Sequence, residues 1–262
     1  MSPDPSQPFS RRHGFSPTDR EITIRDDAPE GLRATVLNSV NIDLKNLEAI
    51  ICRVLNKLPS FDWSAEYITG NIMSHIRRCD WFKVYDIIEA IYGYLSERHP
   101  EAAQAYEDSI NQYFRAAGIG WKLSQGIIEV RGSEAFEASL REAVSALDAN
   151  ALPTARREIE EALRDLSRRP DPDVTGAVQH AMAALECVAR TISGDSHATL
   201  GALIERNPQM LPRPMDDIIR KLWGYSSEMA RHLQEGRVIA FAEAVLVVHL
   251  SAAASTYLTT RE

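Results

Sequence analysis

The sequence has 262 residues, of which 44% are hydrophobic and 25% are charged. This length and composition are typical of one large or two modest globular domains that build their own core. The formal net charge of −8 argues against a protein that coats nucleic acid by neutralising phosphates, although a small local basic site is compatible with it.

The three cysteines, Cys52, Cys79 and Cys187, are widely spaced and form no Cys-x-x-Cys pair. This pattern predicts free thiols rather than a disulfide framework or a zinc site. No uninterrupted run approaches the roughly 18 apolar residues that a membrane span requires. The N-terminus is rich in Pro, Ser and Arg and lacks the apolar stretch of a secretory signal. We therefore expect a cytoplasmic protein with no membrane segment.

Residues 1–20 contain four prolines among polar residues, which predicts a flexible tail. Residues 21–25 alternate polar and apolar side chains and predict a short strand. A series of helices then extends to about residue 116, and Gly118 stands where a helix C-terminal glycine belongs. The first domain is predicted to span residues 21–134.

Two short apolar runs, Ile119–Leu123 and Ile127–Val130, flank Ser124, Gln125 and Gly126. This arrangement predicts a small β-hairpin. We expect the strand at residues 21–25 to pair with it and form a three-stranded sheet.

Residues 135–262 read as wholly helical and predict an antiparallel bundle. Asp173 is a candidate N-cap for a long Ala-rich helix. The last helix, Ile239–Leu258, is almost entirely apolar and must be buried, either as a central bundle helix or as a dimer interface. The fold class is therefore mainly α, with an α-rich N-terminal domain that contains a small β-hairpin or sheet, followed by a helical bundle.

The segment Trp223–Arg237 concentrates polar chemistry between apolar helical segments, within a helix predicted from Met215 to about Leu233. On an α-helix, the Glu228 carboxylate would lie one turn before His232 and could orient its imidazole. His232 could then act as a general acid or base on a phosphodiester. Arg231 and Arg237 could hold the phosphate as it gains charge. The alternative is a surface Glu228–His232 pair with solvated arginines.

Residues 205–237 contain six Lys and Arg residues and five Asp and Glu residues, a local charge of +1 against −8 for the chain. Arg220 and Lys221 belong to this set and are predicted, with Arg237, to contact phosphate or RNA. No two histidines stand at helical i, i+4 spacing, so a helical metal pair is not expected. We predict no metal and no cofactor. His180, close in sequence to Gln179 and Glu186, is interpreted as a buried or lining histidine.

Several stretches of the first domain resemble the N-terminal domain of bacterial abortive-infection AbiJ-type proteins. They are Phe9-Ser-Arg-Arg, Arg25-Asp-Asp-Ala-Pro-Glu with Leu32-Arg33, Asp80-Trp-Phe-Lys-Val-Tyr-Asp-Ile-Ile-Glu89, Gly118-Ile-Gly-Trp-Lys-Leu with Gly126, and Arg131-Gly132.

The second domain resembles the helical HEPN domain. The matching stretches are Arg169-Pro-Asp-Pro-Asp-Val-Thr-Gly-Ala177, Ala181-Met-Ala-Ala-Leu-Glu-Cys187, Leu222-Trp-Gly-Tyr225 and Arg231-His-Leu-Gln-Glu-Gly-Arg237. This resemblance implies a HEPN-like bundle that forms a homodimer and cleaves RNA between two protomers, in phage defence or as a toxin. It also implies a phage-derived trigger or partner protein.

One feature of the second domain departs from the usual HEPN ribonuclease pattern, in which four to six residues separate an Arg from a following His. Here Arg231 and His232 are adjacent, Arg220 precedes His232 with eleven residues between them, and Arg237 follows it with four. This spacing leaves a second hypothesis open, a non-catalytic HEPN module that binds a nucleotide or a partner.

Overall fold

The computed structural model describes residues 20–60, 64–231 and 238–261, and for Ala230 and Arg231 it describes only the backbone. The described chain is mainly helical with one small antiparallel sheet, which confirms the predicted fold class at that level. The predicted tail of residues 1–20 lies outside the described residues except for Arg20. Contacts divide the chain into two compact units, Met1–Arg131 and Gly132–Glu262.

The described residues of the first unit form five helices followed by a β-hairpin. Its elements are α1 (Glu30–Asn38), α2 (Leu44–Val54), α3 (Ala65–Arg78), α4 (Trp81–Arg98), α5 (Pro100–Ala117), β1 (Trp121–Ser124) and β2 (Ile127–Val130). Apolar side chains from all five helices form the core, and burying one large aliphatic or aromatic side chain contributes about 1.5–3 kcal/mol.

The hairpin forms as predicted, with Trp121 opposite Val130 and Ser124 opposite Ile127. Its two turn residues, Gln125 and Gly126, have φ angles of 49° and 86°, as a tight type I′ turn requires. The expected three-stranded sheet is wrong, because the sheet in the described residues has two strands. The N-terminal segment contributes only an isolated parallel bridge between Ile24 and Ile119.

At this bridge the amides of Thr23 and Ile24 donate to the Gly118 carbonyl at 2.9 and 3.1 Å, and the Gly120 amide donates to the Ile24 carbonyl at 2.8 Å. Side-chain hydrogen bonds add to these backbone bonds. The Arg25 guanidinium donates to the carbonyl of Gly120 at 2.7 Å and to that of Arg131 at 3.2 Å. The Trp121 indole donates back to the Arg25 carbonyl at 2.8 Å. We call these three side-chain contacts the Arg25 seam. The residues that carry the resemblance in this region therefore have a structural role.

The second unit is a helical bundle whose described elements are α6 (Glu134–Ala149), α7 (Pro153–Ser167), α8 (Val174–Ser193), α9 (Leu200–Arg206), α10 (Met215–Ser226), a π-helical turn (Ser227–Arg231) and α11 (Phe241–Thr260). The Asp173 side chain accepts a hydrogen bond from the Gly176 amide at 2.7 Å. This bond confirms Asp173 as the N-cap of α8. Helices α7 and α8 form a tightly packed hairpin.

Helix α11 is long and apolar enough, by length and composition, to cross a membrane, although no such segment was predicted. Its contacts with α6 and α8 bury one side of the helix. For example, the Ser251 hydroxyl lies 3.4 Å from the Met182 sulfur. Leu246 and Tyr257 are 56% and 44% exposed and lie on another face.

Candidate functional site

The segment Trp223–Arg237 begins inside α10 and continues into the π-helical turn. We predicted one helix from Met215 to about Leu233, but the α-helix ends at Ser226 and Ser227–Arg231 form the π turn. The Ser226 hydroxyl donates to the carbonyls of Leu222 at 2.8 Å and Trp223 at 3.1 Å. Such serine bonds to the preceding turn bend helices, which is consistent with the change of helix type at this point.

The π turn alters the geometry on which the expected Glu228–His232 pair depends. That pairing assumed four-residue α-helical spacing, whereas a π turn closes hydrogen bonds over five residues. Glu228 lies inside this turn and is exposed. His232 and Arg237 lie outside the described residues, as does the side chain of Arg231. Their proximity to Glu228 therefore stays a prediction.

Buried side chains fix the chain on both sides of residues 232–237. On one side Met229, in the π turn, is 7% exposed, and the turn packs against α8. On the other side Ile239 is 4% exposed. The Glu243 carboxylate joins the two flanks, because it accepts from the Tyr225 hydroxyl at 3.2 Å and from the Ala240 amide at 2.9 Å. We call this arrangement the Glu243 latch.

The two predicted phosphate-binding residues of α10, Arg220 and Lys221, differ in whether they form an ion pair. The Arg220 guanidinium forms an ion pair with Asp217, and both side chains are about half exposed, so part of its charge is neutralised. Lys221 is exposed and forms no ion pair with a described residue. An exposed ion pair of this kind contributes about 0–1 kcal/mol, so a phosphate could displace Asp217 at small cost.

Trp223 of α10 packs against Gly201 of α9. A Cβ atom built at Gly201 would lie 3.3 Å from the indole ring, so the glycine allows α9 to approach α10 closely. The described residues contain no group of three or more His, Cys, Asp or Glu side chains that could hold a metal ion.

A second cluster of titratable groups was not predicted from the sequence. The structure places His180 of α8 between two carboxylates of α7, with Nδ1 2.7 Å from Glu158 Oε2 and Nε2 3.7 Å from Asp165 Oδ2. Proximity in sequence suggests Gln179 and Glu186 as neighbours of His180, whereas its partners come from the adjacent helix α7. Pairing α7 with α8 as an antiparallel hairpin would have brought positions 158 and 165 to position 180.

The fold and the Arg25 seam define a mainly helical protein with an N-terminal unit that ends in a β-hairpin. The family model of AbiJ N-terminal domain 4 matches residues 7–146, more than half of the chain. The chain therefore belongs to this family, and the predicted AbiJ-type N-terminal domain is confirmed. No curated protein and no solved structure matches the chain.

Family membership supports a function associated with abortive infection. The match reaches residue 146 and so includes most of α6, which packs with α11 and α7 in the second unit. The remaining helices, including α10 and its π turn, lie beyond it. The HEPN resemblance of the second domain stays a prediction.

Proposed function

We propose that this protein acts in abortive infection as a metal-independent endoribonuclease whose catalytic domain is the HEPN-like bundle of residues 135–262. The observation that carries the proposal is the construction of the segment Trp223–Arg237. Its π turn and the Glu243 latch give fixed ends to a stretch that contains Arg231, His232 and Arg237. Single π turns within helices occur frequently at functional sites.

In the proposed reaction, the His232 imidazole removes the proton from a ribose 2′-hydroxyl. The 2′-oxygen then attacks the adjacent phosphorus and the bond to the 5′-oxygen breaks. That oxygen takes a proton from solvent water as it leaves, and His232 releases its proton to solvent. The products are a 2′,3′-cyclic phosphate and a 5′-hydroxyl end. Arg231 and Arg237 stabilise the charge that develops on the phosphate, Glu228 orients His232, and Arg220 and Lys221 bind the flanking RNA.

The proposed active form is a homodimer with the cleft between two protomers. Its support is the face of α11 that carries Leu246 and Tyr257, because exposed apolar side chains on one helix face favour association. A second protomer could supply the arginine that the adjacent Arg231–His232 pair does not place at the usual spacing. We propose that the AbiJ-type unit responds to a phage-derived trigger or partner protein in the cytoplasm.

The test is incubation of purified protein with total RNA, followed by analysis of the RNA ends. We expect the wild type to produce cyclic phosphate ends with and without EDTA, and His232→Ala to lower cleavage at least about 100-fold, since general acid–base catalysis contributes 10²–10⁴-fold. His197→Ala is the matched control, because His197 is an exposed histidine of the same unit. Equal cleavage by the wild type and His232→Ala would remove His232 from the mechanism.

The second candidate function is a non-catalytic module that binds a nucleotide or a partner. The observation that favours it is the adjacency of Arg231 and His232, which differs from the usual HEPN ribonuclease spacing. It predicts no cleavage of any RNA by purified wild-type protein together with measurable nucleotide or protein binding. Isothermal titration with nucleotides separates the two candidates when the cleavage assay is negative.

A further inference from the structure

The α7–α8 hairpin contains a histidine whose two ring nitrogens both face carboxylates. His180 is 39% exposed, Glu158 is 20% exposed and the Asp165 side chain is 2% exposed. The 2.7 Å distance from Nδ1 to Glu158 is a hydrogen bond, whereas the 3.7 Å distance from Nε2 to Asp165 Oδ2 exceeds hydrogen-bond length. Asp165 Oδ2 is buried and has no hydrogen-bond partner within the described residues.

Counting donors explains why one contact is short and the other is long. A carboxylate oxygen only accepts hydrogen bonds, so His180 Nδ1 must carry the proton that it shares with Glu158. A neutral imidazole has a single N–H, so Nε2 is then an acceptor. It faces a second acceptor, the ionised Asp165 Oδ2. Two acceptors with no proton between them cannot bond, and one proton added to this pair would supply the missing donor.

The packing around Asp165 keeps this oxygen in place. A Cβ atom at Gly176 would lie 2.5 Å from Asp165 Oδ2 and 2.8 Å from Asp173 Oδ2, so only glycine leaves room for both oxygens. Arg168 holds the other oxygen, Asp165 Oδ1, at 3.0 Å, and it also contacts Asp173 at 3.2 Å. The carboxyl group is therefore fixed on one side and lacks a donor on the other.

We propose that Asp165 and His180 form a proton-linked clasp, in which uptake of one proton by the Asp165 carboxyl creates an Oδ2–Nε2 hydrogen bond and tightens the α7–α8 hairpin. The clasp can affect the rest of the unit because α8 also packs against the π turn and α11. This inference is independent of RNA cleavage.

The charges around the pair determine the direction of the effect. Burial raises the pKa of the Asp165 carboxyl above its usual range, and the nearby Asp173 and Glu161 carboxylates act in the same direction, while Arg168 and His180 oppose the rise. Glu158 is the other charged group in contact with His180. A group with a raised folded-state pKa binds its proton more tightly in the folded state, so the hairpin gains stability as pH falls toward the carboxyl range and loses it as pH rises.

The test is hydrogen exchange of the α7 and α8 amides in the full-length protein between pH 4.0 and 8.5, corrected for the intrinsic exchange rate. In the wild type we expect the opening equilibrium constant to increase with pH, by at most about tenfold per pH unit for one proton. Asp165→Asn supplies a permanent amide donor to Nε2 and an oxygen acceptor to Arg168. We expect this variant to lose the pH dependence and to open less than the wild type at pH 8.5.

Asp173→Asn is the matched control. It removes the other carboxylate partner of Arg168, keeps a good helix N-cap and does not contact His180. It should therefore retain a pH dependence in the same direction, moved to lower pH because the Asp173 carboxylate helps to raise the pKa of Asp165. The proposal is overturned if Asp165→Asn keeps that dependence or if Asp173→Asn loses it equally.

Discussion

The Arg25 seam of the first unit and the Asp165–His180 pair of the second unit both join segments through polar side chains, but they differ in donor supply. In the seam, guanidinium and indole donors meet backbone carbonyls at 2.7–3.2 Å. In the pair, two acceptors face each other at 3.7 Å. A fully matched contact fixes a structure at any pH, whereas a contact that lacks one proton makes local stability depend on pH.

The largest expected effect comes from breaking the backbone that the seam depends on. Gly118 ends α5 with a φ angle of 69°, and a Cβ atom there would collide with the carbonyl oxygen of Glu21. We expect Gly118→Ala to lower the free energy of unfolding of the first unit by about 3 kcal/mol, because it combines a left-handed backbone with a clash. Urea denaturation measures the change.

Gly93 provides the control for that substitution. It lies within α4, and a Cβ atom there meets nothing within 4 Å. Gly93→Ala should therefore increase stability by about 0.5–1 kcal/mol through helix propensity. If both substitutions changed stability in the same direction, the special role of the Gly118 backbone would be wrong.

A smaller effect is expected when the donors of the seam are removed directly. Arg25→Ala leaves the carbonyls of Gly120 and Arg131 without their guanidinium donors. Hydrogen bonds to charged groups each contribute about 1.5–3 kcal/mol, and this site is only partly buried. We therefore expect the free energy of unfolding to fall by about 2 kcal/mol, and this decrease should be nearly the same at pH 6 and pH 8. Denaturation at both pH values would detect a pH dependence, and finding one would contradict the contrast with the Asp165–His180 pair.

Local sequence patterns predicted much of this fold because the forces that set it are local. The Gln125–Gly126 turn, the Gly118 helix end and the Asp173 cap each depend on backbone preferences of one or two residues. The extent of the third strand could not be read from residues 21–25, because backbone pairing stops at the Ile24–Ile119 bridge and Arg25 continues with side-chain bonds to residues far along the chain.

The candidate site was less predictable for a related reason. Apolar periodicity continues from α10 toward Leu233, and it gives no indication that the α-helix changes into a π turn after Ser226. The Glu158–His180–Asp165 contacts likewise require the helix register of the α7–α8 hairpin. Residues 15 to 22 positions apart meet there, and no spacing rule within a single helix can reveal that.

The smallest expected effect concerns the Glu243 latch, which resembles the seam in having matched donors. Tyr225→Phe removes only the hydroxyl that donates to Glu243, so we expect local stability to fall by about 0.5–1.5 kcal/mol. The loss should be confined to the flanks of residues 232–237, because the Ala240 amide still donates to the same carboxylate. Hydrogen exchange should therefore become faster in the π turn and near Ile239 but not in α7. If the latch also positions His232, RNA cleavage by Tyr225→Phe should decrease by less than tenfold. A full loss of cleavage with unchanged hydrogen exchange would instead show that the Tyr225 hydroxyl takes part in the reaction itself.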